Sequence, residues 1–491
     1  LDAGSRRSTL KPSPGGPAEI TARAVVLPLA LAQLICSFAA SSLNVAISAI
    51  AKDLHTTVIG VQTTITLFTL TMAALMVPGS KLSDLWGRRT CFIAGLAVYG
   101  IGALLAGLAP GLGVMIVGNS ILEGVGSALM IPPVYILVTV TFTEVRDRAK
   151  YFGVVSGAGA LGSAAGPLIG GLITGLIGWR ALFLTQVVVV VLIIYLARDL
   201  ADQPRPEPRP PFDLGGAVLS AAGLFFLVLG ILQTNTYGWL VSRKDFSVGG
   251  TVLISKGGMS PVWLSIGIGV AILGWFFWYL HARELKGKEP LLRGSLLRNR
   301  TANLGLGVQL VQWLAMQGTF FVISVFLQQV WKYDAIETGL MLTPASAGIL
   351  IASAAAERLA SRHSQRALIQ AGFVVTAAGM AVSLALVRAT SGNLSLVPGL
   401  LLTGLGVGVM LTAAVNLVQS SFPDSDQSDI SGLSRSISNL GSSLGTALAG
   451  SILVAATHPG GRPFALSLTT LLVITLIGLV IALFIPSRTD R

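Results

Sequence analysis

The sequence predicts an all-α polytopic membrane protein: two six-helix bundles with two extra transmembrane helices between them, fourteen spans in all. Composition is the first observation behind this. Apolar residues fill 53% of the 491 positions and charged residues only 11%, less than half of the roughly 25% usual in soluble domains. A soluble core could not hide that much apolar surface. Repeated spans of about 20 apolar residues account for it, in keeping with a mean hydropathy of +0.77. The second observation is the regular recurrence of such spans. The third is a charged loop that returns, degenerate but recognisable, eight spans after its first appearance.

The chain opens with a polar, Pro/Gly-containing tail (1–24). It lacks the apolar core and small-residue cleavage site of a signal peptide. Six spans follow near 25–50, 61–80, 90–109, 113–140, 150–177 and 180–198, forming the first bundle (25–198). A Pro-rich charged linker (199–213) is a semi-rigid spacer. Two inserted spans, near 214–236 and 262–282, form the segment 214–282. Between them, around 242–257, "DFSVGGTVLIS" flanks Gly249-Gly250 with β-branched and aromatic residues, the pattern of a small hairpin. The most basic loop (283–301) leads into the second bundle (302–485), with spans near 302–331, 336–356, 366–387, 394–421, 429–456 and 464–485. A short tail (486–491) ends the chain.

With both termini in the cytoplasm, about 25 of the 33 Lys and Arg residues fall on the inner side. This orientation makes the net charge of +12 a positive-inside signature facing anionic headgroups, not a nucleic-acid-binding face. A multi-pass protein of a bacterial cytoplasmic (inner) membrane follows. Cys36 and Cys91 read as small buried residues on different spans, and no cluster of side chains has metal-ligand spacing. No metal or other cofactor is expected. Nor is an enzyme, since no nucleophile–base pair or phosphate loop is present.

The repeat lies in "GSKLSDLWGRRT" (79–90) and "ERLASRHSQRAL" (357–368). Aligning Leu82 with Leu359 sets Asp84 on Ser361, Gly87 on Ser364 and Arg89 on Arg366. The loops are an even number of spans apart, so the repeats share an orientation. Parallel repeats about an axis along the membrane normal mark alternating-access transporters. On these motifs the chain resembles the major facilitator superfamily, and within it the fourteen-span drug:H⁺ antiporters.

The loop "SKLSDLWGRR" is similar to that family's G-x-L-x-D-x-x-G-R-R/K motif, with Ser80 and Leu85 departing from it. The resemblance implies a conformational latch of Asp84, Gly87, Arg88 and Arg89. Asp84 would cap the start of span 13 near 428–436, where free N–H groups favour an anion, and Arg88 would pair with Glu144 or Asp147. Span 5 carries "GALGSAAGPLIGG" (159–171), similar to the antiporter motif G-x-x-x-G-P-x-x-G-G. Gly162, Gly166 and Gly170, with Gly171, make a smooth face for close helix approach, and Pro167 allows a bend. By resemblance this motif implies export in exchange for protons.

Span 4 departs from the family. Aligned on R-x-x-Q-G-x-G, "SILEGVGSA" has Ser120 in place of the Arg and Glu123 in place of the Gln, and in span 1 Ala39 stands where relatives carry an acid. One embedded carboxylate remains. Glu123 falls about 15 Å from the outer end of its span at 1.5 Å per residue, where an ionised carboxylate costs a few kcal/mol. A carboxyl there is suited to carrying a proton, and to attracting a cationic substrate that competes with it. The rival reading is a Glu hydrogen-bonded to a neighbouring helix.

A cavity between the halves is expected near the midplane. It would be lined by Gln33, Asn44, Glu123, Tyr135, Gln309, Gln312, Trp313, Gln317, Phe320 and Asn416. The first functional reading is a proton-coupled multidrug exporter of lipophilic, cationic compounds, working as a monomer with small substrate, protons and the lipid bilayer as partners. The second is an exporter or flippase of an endogenous lipid or secondary metabolite. A non-transporting receptor or scaffold is the third.

Overall fold

The computed structural model describes residues 17–142, 144–200, 212–248, 251–386, 392–423, 426–455 and 462–486. The first sixteen residues of the N-terminal tail, most of the 199–213 linker, Gly249-Gly250 and most of the C-terminal tail lie outside them.

In the first bundle, α1 (Pro17–Ser42) passes through a 3₁₀ turn (Leu43–Ala46) into α2 (Ile47–Asp53). Then come α3 (Val58–Trp86), α4 (Arg88–Gly107) and the short α5 (Leu112–Met115). A π-helical stretch (Ile116–Glu123) leads into α6 (Gly124–Thr141), followed by α7 (Val145–Leu176) and α8 (Arg180–Leu196). The inserted pair is α9 (Leu214–Tyr237) and α10 (Pro261–Leu285), with strands β1 (Phe246–Val248) and β2 (Thr251–Ile254) between them. The strands pair antiparallel with Val248 opposite Thr251. The second bundle is α11 (Arg300–Gln329), α12 (Ala335–Ala360), α13 (Gln365–Leu386), α14 (Val397–Gln419), α15 (Gln427–Ala455) and α16 (Arg462–Leu483).

Helix starts follow local chemistry. Thr57 accepts from Gly60 N, Asn299 from Ala302 N, and Ser260 caps α10 with Pro261 behind it, each supplying an acceptor to first-turn N–H groups. Gly87 divides α3 from α4 at φ +99°, a conformation that L side chains rarely adopt.

Among the described residues twelve helices are long and apolar enough to cross a membrane, against fourteen expected. The two that differ are α8 and α15, for opposite reasons. α8 is strongly apolar but has 17 residues, about 26 Å of helix against a hydrocarbon layer of about 30 Å. α15 is long enough, at 29 residues, but rich in serine. Its polar groups meet other helices: Ser434 donates to Gln309 Oε1 (2.7 Å), Ser436 to Ala73 O (2.5 Å) and Ser443 to Thr66 O (3.1 Å). A helix enclosed by protein needs no apolar face for lipid.

Successive long helices reverse direction. One face therefore collects the start of α1 and the end of α16 (the terminal face), and the other carries the hairpin. The two arginines equated by the sequence repeat behave alike on the terminal face. Arg89, at the start of α4, donates to Arg198 O just past α8 (2.7 Å), and Arg366, at the start of α13, donates to Leu483 O at the end of α16 (3.1 Å). Each ties the second loop of its half to that half's last helix.

The halves meet along three seams. α3 and α15 run antiparallel, joined at Gln62–Thr446 (2.9 Å), Thr66–Ser443, Ala73–Ser436 and the Lys81–Asp429 ion pair (2.9 Å). α1 and α11 meet toward the hairpin face, where Gln317 donates to Ala40 O (3.2 Å), Gln328 to Asn44 O (2.8 Å) and Gln329 to Ser48 Oγ (3.0 Å). The third seam joins α7 and α12 through glycines.

The inserted helices lie across one of these seams, because α9 packs against both α3 and α15. The loop after α10 buries Leu291, Leu292 and Leu296 among α9, α10, α11 and α15. It also adds Glu289 beside Lys81 (3.8 Å) and Arg293 beside Asp426 (3.3 Å). Asp213 organises this corner. Its carboxylate is 4% exposed and accepts from Gly216 N, Leu291 N and Tyr279 Oη, each at 3.0 Å, with Arg283 at 3.4 Å. Asp213→Ala is expected to lose roughly 2–3 kcal/mol, at the low side of stranding a buried partner because Arg283 keeps some solvent access. Thermal unfolding in detergent reads this as a melting temperature several degrees lower. An unchanged value would mean that Asp213 does not hold the loop.

Candidate functional site

A cavity of about 760 Å³, counting its open part, lies between the halves and is lined from α1, α3, α6, α7, α11, α12 and α15. The α1–α11 bonds at Ala40, Asn44 and Ser48 close the gap between those helices toward the hairpin face.

Five of the expected residues line it: Gln33, Asn44, Trp313, Gln317 and Phe320. The other five are not among its lining. Gln309 is spent on structure, donating to Ala414 O (3.1 Å) and accepting from Ser434. Gln312 is buried beside it on α11, and Asn416 is exposed on the outside of α14. Tyr135 stands behind the wall, with its hydroxyl accepting from Arg435 and the guanidinium 5.1 Å from its ring centre.

Glu123 is the main correction. It is fully buried but inside the first bundle, among α4, α6 and the π-helical stretch, outside the cavity. Asn119 donates to its Oε2 (3.2 Å), while Oε1 has no hydrogen-bond partner. Tyr99, whose hydroxyl is donated to Gln186 (2.5 Å), stands beside it. The link to the cavity is indirect. Ser127, one turn after Glu123, meets the Cys36 thiol (3.6 Å), and Cys36 lines the cavity. Sharing of one site by a proton on Glu123 and a substrate therefore does not match the geometry.

Arg435 is absent from the residues expected of the cavity, yet its charged side chain is part of the lining. The signal was present, since Arg435 lies within a serine-rich helix whose polar residues recur three and four apart. That spacing is the mark of a helix facing polar surroundings inside a bundle.

Asp84, in the last turn of α3, lies 3.6 Å from Arg88 at the start of α4. Lys81 and Arg293 reach the start of α15, at Asp429 (2.9 and 4.0 Å). Glu144 is exposed at the start of α7 and Asp147 is half-buried in its first turn. The span-5 glycines sit where backbones nearly touch. A Cβ on Gly162 would lie 2.2 Å from Leu34 O, one on Gly166 would overlap Ser41 Oγ, and one on Gly170 would come 2.8 Å from Ser42 Cβ. Gly171 instead faces the other half, where its Cβ would lie 2.4 Å from Ala335 O. Pro167 offers its carbonyl to the same contact, 2.4 Å from a Cβ on Gly339. One helix thus packs tightly on α1 along one face and, within the same turns, on α12 along another.

Comparison with known proteins agrees with this architecture. The chain is 27% identical to the multidrug resistance protein Stp of Mycobacterium tuberculosis over 412 residues, 84% of this chain and 72% of that one. It is 28% identical to the puromycin resistance protein pur8 of Streptomyces alboniger over 429 residues, 87% and 80% of the two chains. It is 26% identical to the cephamycin export protein CmcT of Amycolatopsis lactamdurans over 451 residues, 91% and 88%. The sequence profile of the Major Facilitator Superfamily matches residues 29–297, 246–446 and 305–491. With nearly the whole chain matched, and with two bundles around a central cavity, the protein belongs to the Major Facilitator Superfamily.

Proposed function

We propose that this chain exports lipophilic small molecules across a bacterial cytoplasmic membrane in exchange for protons, alternating the access of its central cavity. In this reading α8 and α15 also cross the bilayer, giving fourteen spans, both termini are cytoplasmic, and the monomer is the working unit. The observation that carries it is the combination of a central cavity between two repeat-related halves with a buried carboxyl group, Glu123, one turn along the chain from Ser127, which meets the cavity-lining Cys36. Relatives named for multidrug and puromycin resistance support efflux as the direction. A second reading, export of a secondary metabolite, has the support of relatives named for cephamycin and tetracenomycin C export. The two readings share a mechanism and differ only in cargo.

Glu123 is the proposed proton carrier. The Lys81–Asp429 pair, with Asp84, Gly87, Arg88 and Arg89 on the adjoining turn, is the proposed latch on the cytoplasmic side. The test is transport of a panel of fluorescent lipophilic compounds in proteoliposomes, with a pH gradient imposed and then collapsed. Gradient-dependent accumulation of at least one compound is the expected result. Movement indifferent to the gradient removes proton coupling, and no movement of any compound removes export.

A further inference from the structure

Arg435 sits in the wall of the central cavity and presents a guanidinium cation there. Among the described residues its polar partner is the Tyr135 hydroxyl, a neutral group, and no carboxylate lies within ion-pairing distance. A guanidinium has five N–H donors, so most of its capacity is open. A cation without a counter-charge is costly inside a membrane protein and marks a pathway or a ligand site.

Other lining residues complete a recognisable shape. Gln33 Oε1 and Asn44 Oδ1 are buried acceptors without a donor, on residues 4% and 1% exposed. They lie eleven positions apart on one wall, about 16 Å at 1.5 Å per residue. Gln33 and Arg435 line the same cavity from opposite halves. Trp313, Phe320 and Met72 give the space between an apolar, partly aromatic surface.

We propose that this cavity selects amphipathic aromatic anions. Arg435 takes a carboxylate or ionised acidic hydroxyl, Gln33 and Asn44 accept from hydroxyl or amide donors, and Trp313 with Phe320 covers the ring system. The proposal rests on the export reading and names its substrate class. It replaces the expectation of cationic cargo, which was argued from Glu123. It also gives binding a mechanical consequence. Arg435 belongs to the second half and Tyr135 to the first, so an anion that draws the guanidinium away loosens a contact between the halves.

Three probes of one shape test it: 3-hydroxy-2-naphthoate, its methyl ester, and 2-naphthyl-trimethylammonium. Affinities are measured by calorimetry on the purified full chain, wild type and Arg435→Gln and Arg435→Lys variants. Wild type is expected to bind the acid about tenfold more tightly than the ester, as a charge-assisted hydrogen bond supplies, and to bind the cation most weakly. Arg435→Gln is expected to bring acid and ester within about twofold while leaving the ester unchanged, which also shows that the cavity is intact. Arg435→Lys is expected to retain part of the preference, having lost the planar fork. A wild type that binds the cation as well as the acid, or binds none of the probes, overturns the proposal. So does an acid-to-ester ratio that survives Arg435→Gln. Because binding is read without transport, failure of the export assay leaves this result standing on its own.

Discussion

Gly171→Val is expected to reduce transport at least about tenfold and to open the hairpin face of the resting protein. α7 and α12 approach there backbone to backbone. A Cβ on Gly171 would lie 2.4 Å from Ala335 O and 3.3 Å from Gly339 Cα, and one on Gly339 would lie 2.4 Å from Pro167 O. Neither obstacle is the end of a flexible side chain, so the helices must separate by about 1 Å to restore ordinary contact, and overpacking of this kind costs typically 1–3 kcal/mol. The cost falls only on conformations in which these helices touch. A penalty of 1.4 kcal/mol moves an equilibrium tenfold, so the population shifts to states with this seam parted. The shift is read by replacing Ser48 and Gln329, whose side chains are hydrogen-bonded across the neighbouring seam at 3.0 Å, with a pair of cysteines. Because the long Gln329 side chain spans this gap, a short bifunctional thiol cross-linker joins the cysteines; wild type is expected to be cross-linked readily and Gly171→Val slowly. Gly162→Val, which strikes α1 in the same half, is expected to lower stability without favouring one face. Cross-linking and transport as in wild type for Gly171→Val would take the α7–α12 contact out of the transport cycle.

Much of this was legible in the sequence. Small residues four apart around Pro167 expose a surface that only another backbone can fill, and both α1 and α12 fill it. The alignment of Arg89 with Arg366 equated two positions that the structure also makes equivalent, although it did not foretell their bonds to carbonyls at the end of each half. The enclosed helix was harder to read. Hydropathy detects the requirement that lipid imposes, and α15 faces protein, so its serines and Arg435 resemble a weak span instead of the centre of the molecule. Asn416 and Gln309 fail for a related reason. A polar residue in mid-span is equally compatible with a cavity, a helix–helix tie or an outer surface until the packing of its helix is known. The position of Glu123 could not be read because Ile116–Glu123 is π-helical. Its turns hold more residues than an α-turn, so side chains beyond it leave the face that regular winding predicts. Gly102 and Gly118 hold the irregular stretch against α4, where a Cβ on Gly118 would come 2.6 Å from Ala106 N.

Glu123→Gln is expected to abolish gradient-driven transport while leaving substrate affinity within about twofold of wild type. The amide nearly matches the carboxyl in size, so the packed surroundings of Tyr99, Asn119 and Ser127 should tolerate it; what it removes is the site of protonation. The pair of measurements separates two mechanisms. If proton and substrate shared Glu123, losing the charge would change affinity for charged cargo by much more than twofold, since a hydrogen bond to a charged group is worth about 1.5–3 kcal/mol and about 1.4 kcal/mol is tenfold. With Glu123 outside the cavity lining, coupling has to pass through conformation. Protonation would favour one arrangement of the first bundle, and that arrangement would set which way the cavity opens. Substrate counterflow without a gradient, which needs only alternation, should then persist in the variant. The outcome that defeats this account is a Glu123→Gln protein that still concentrates substrate against a gradient. Proton transfer would in that case belong to another group, and the buried carboxyl would hold the irregular stretch of helix together instead.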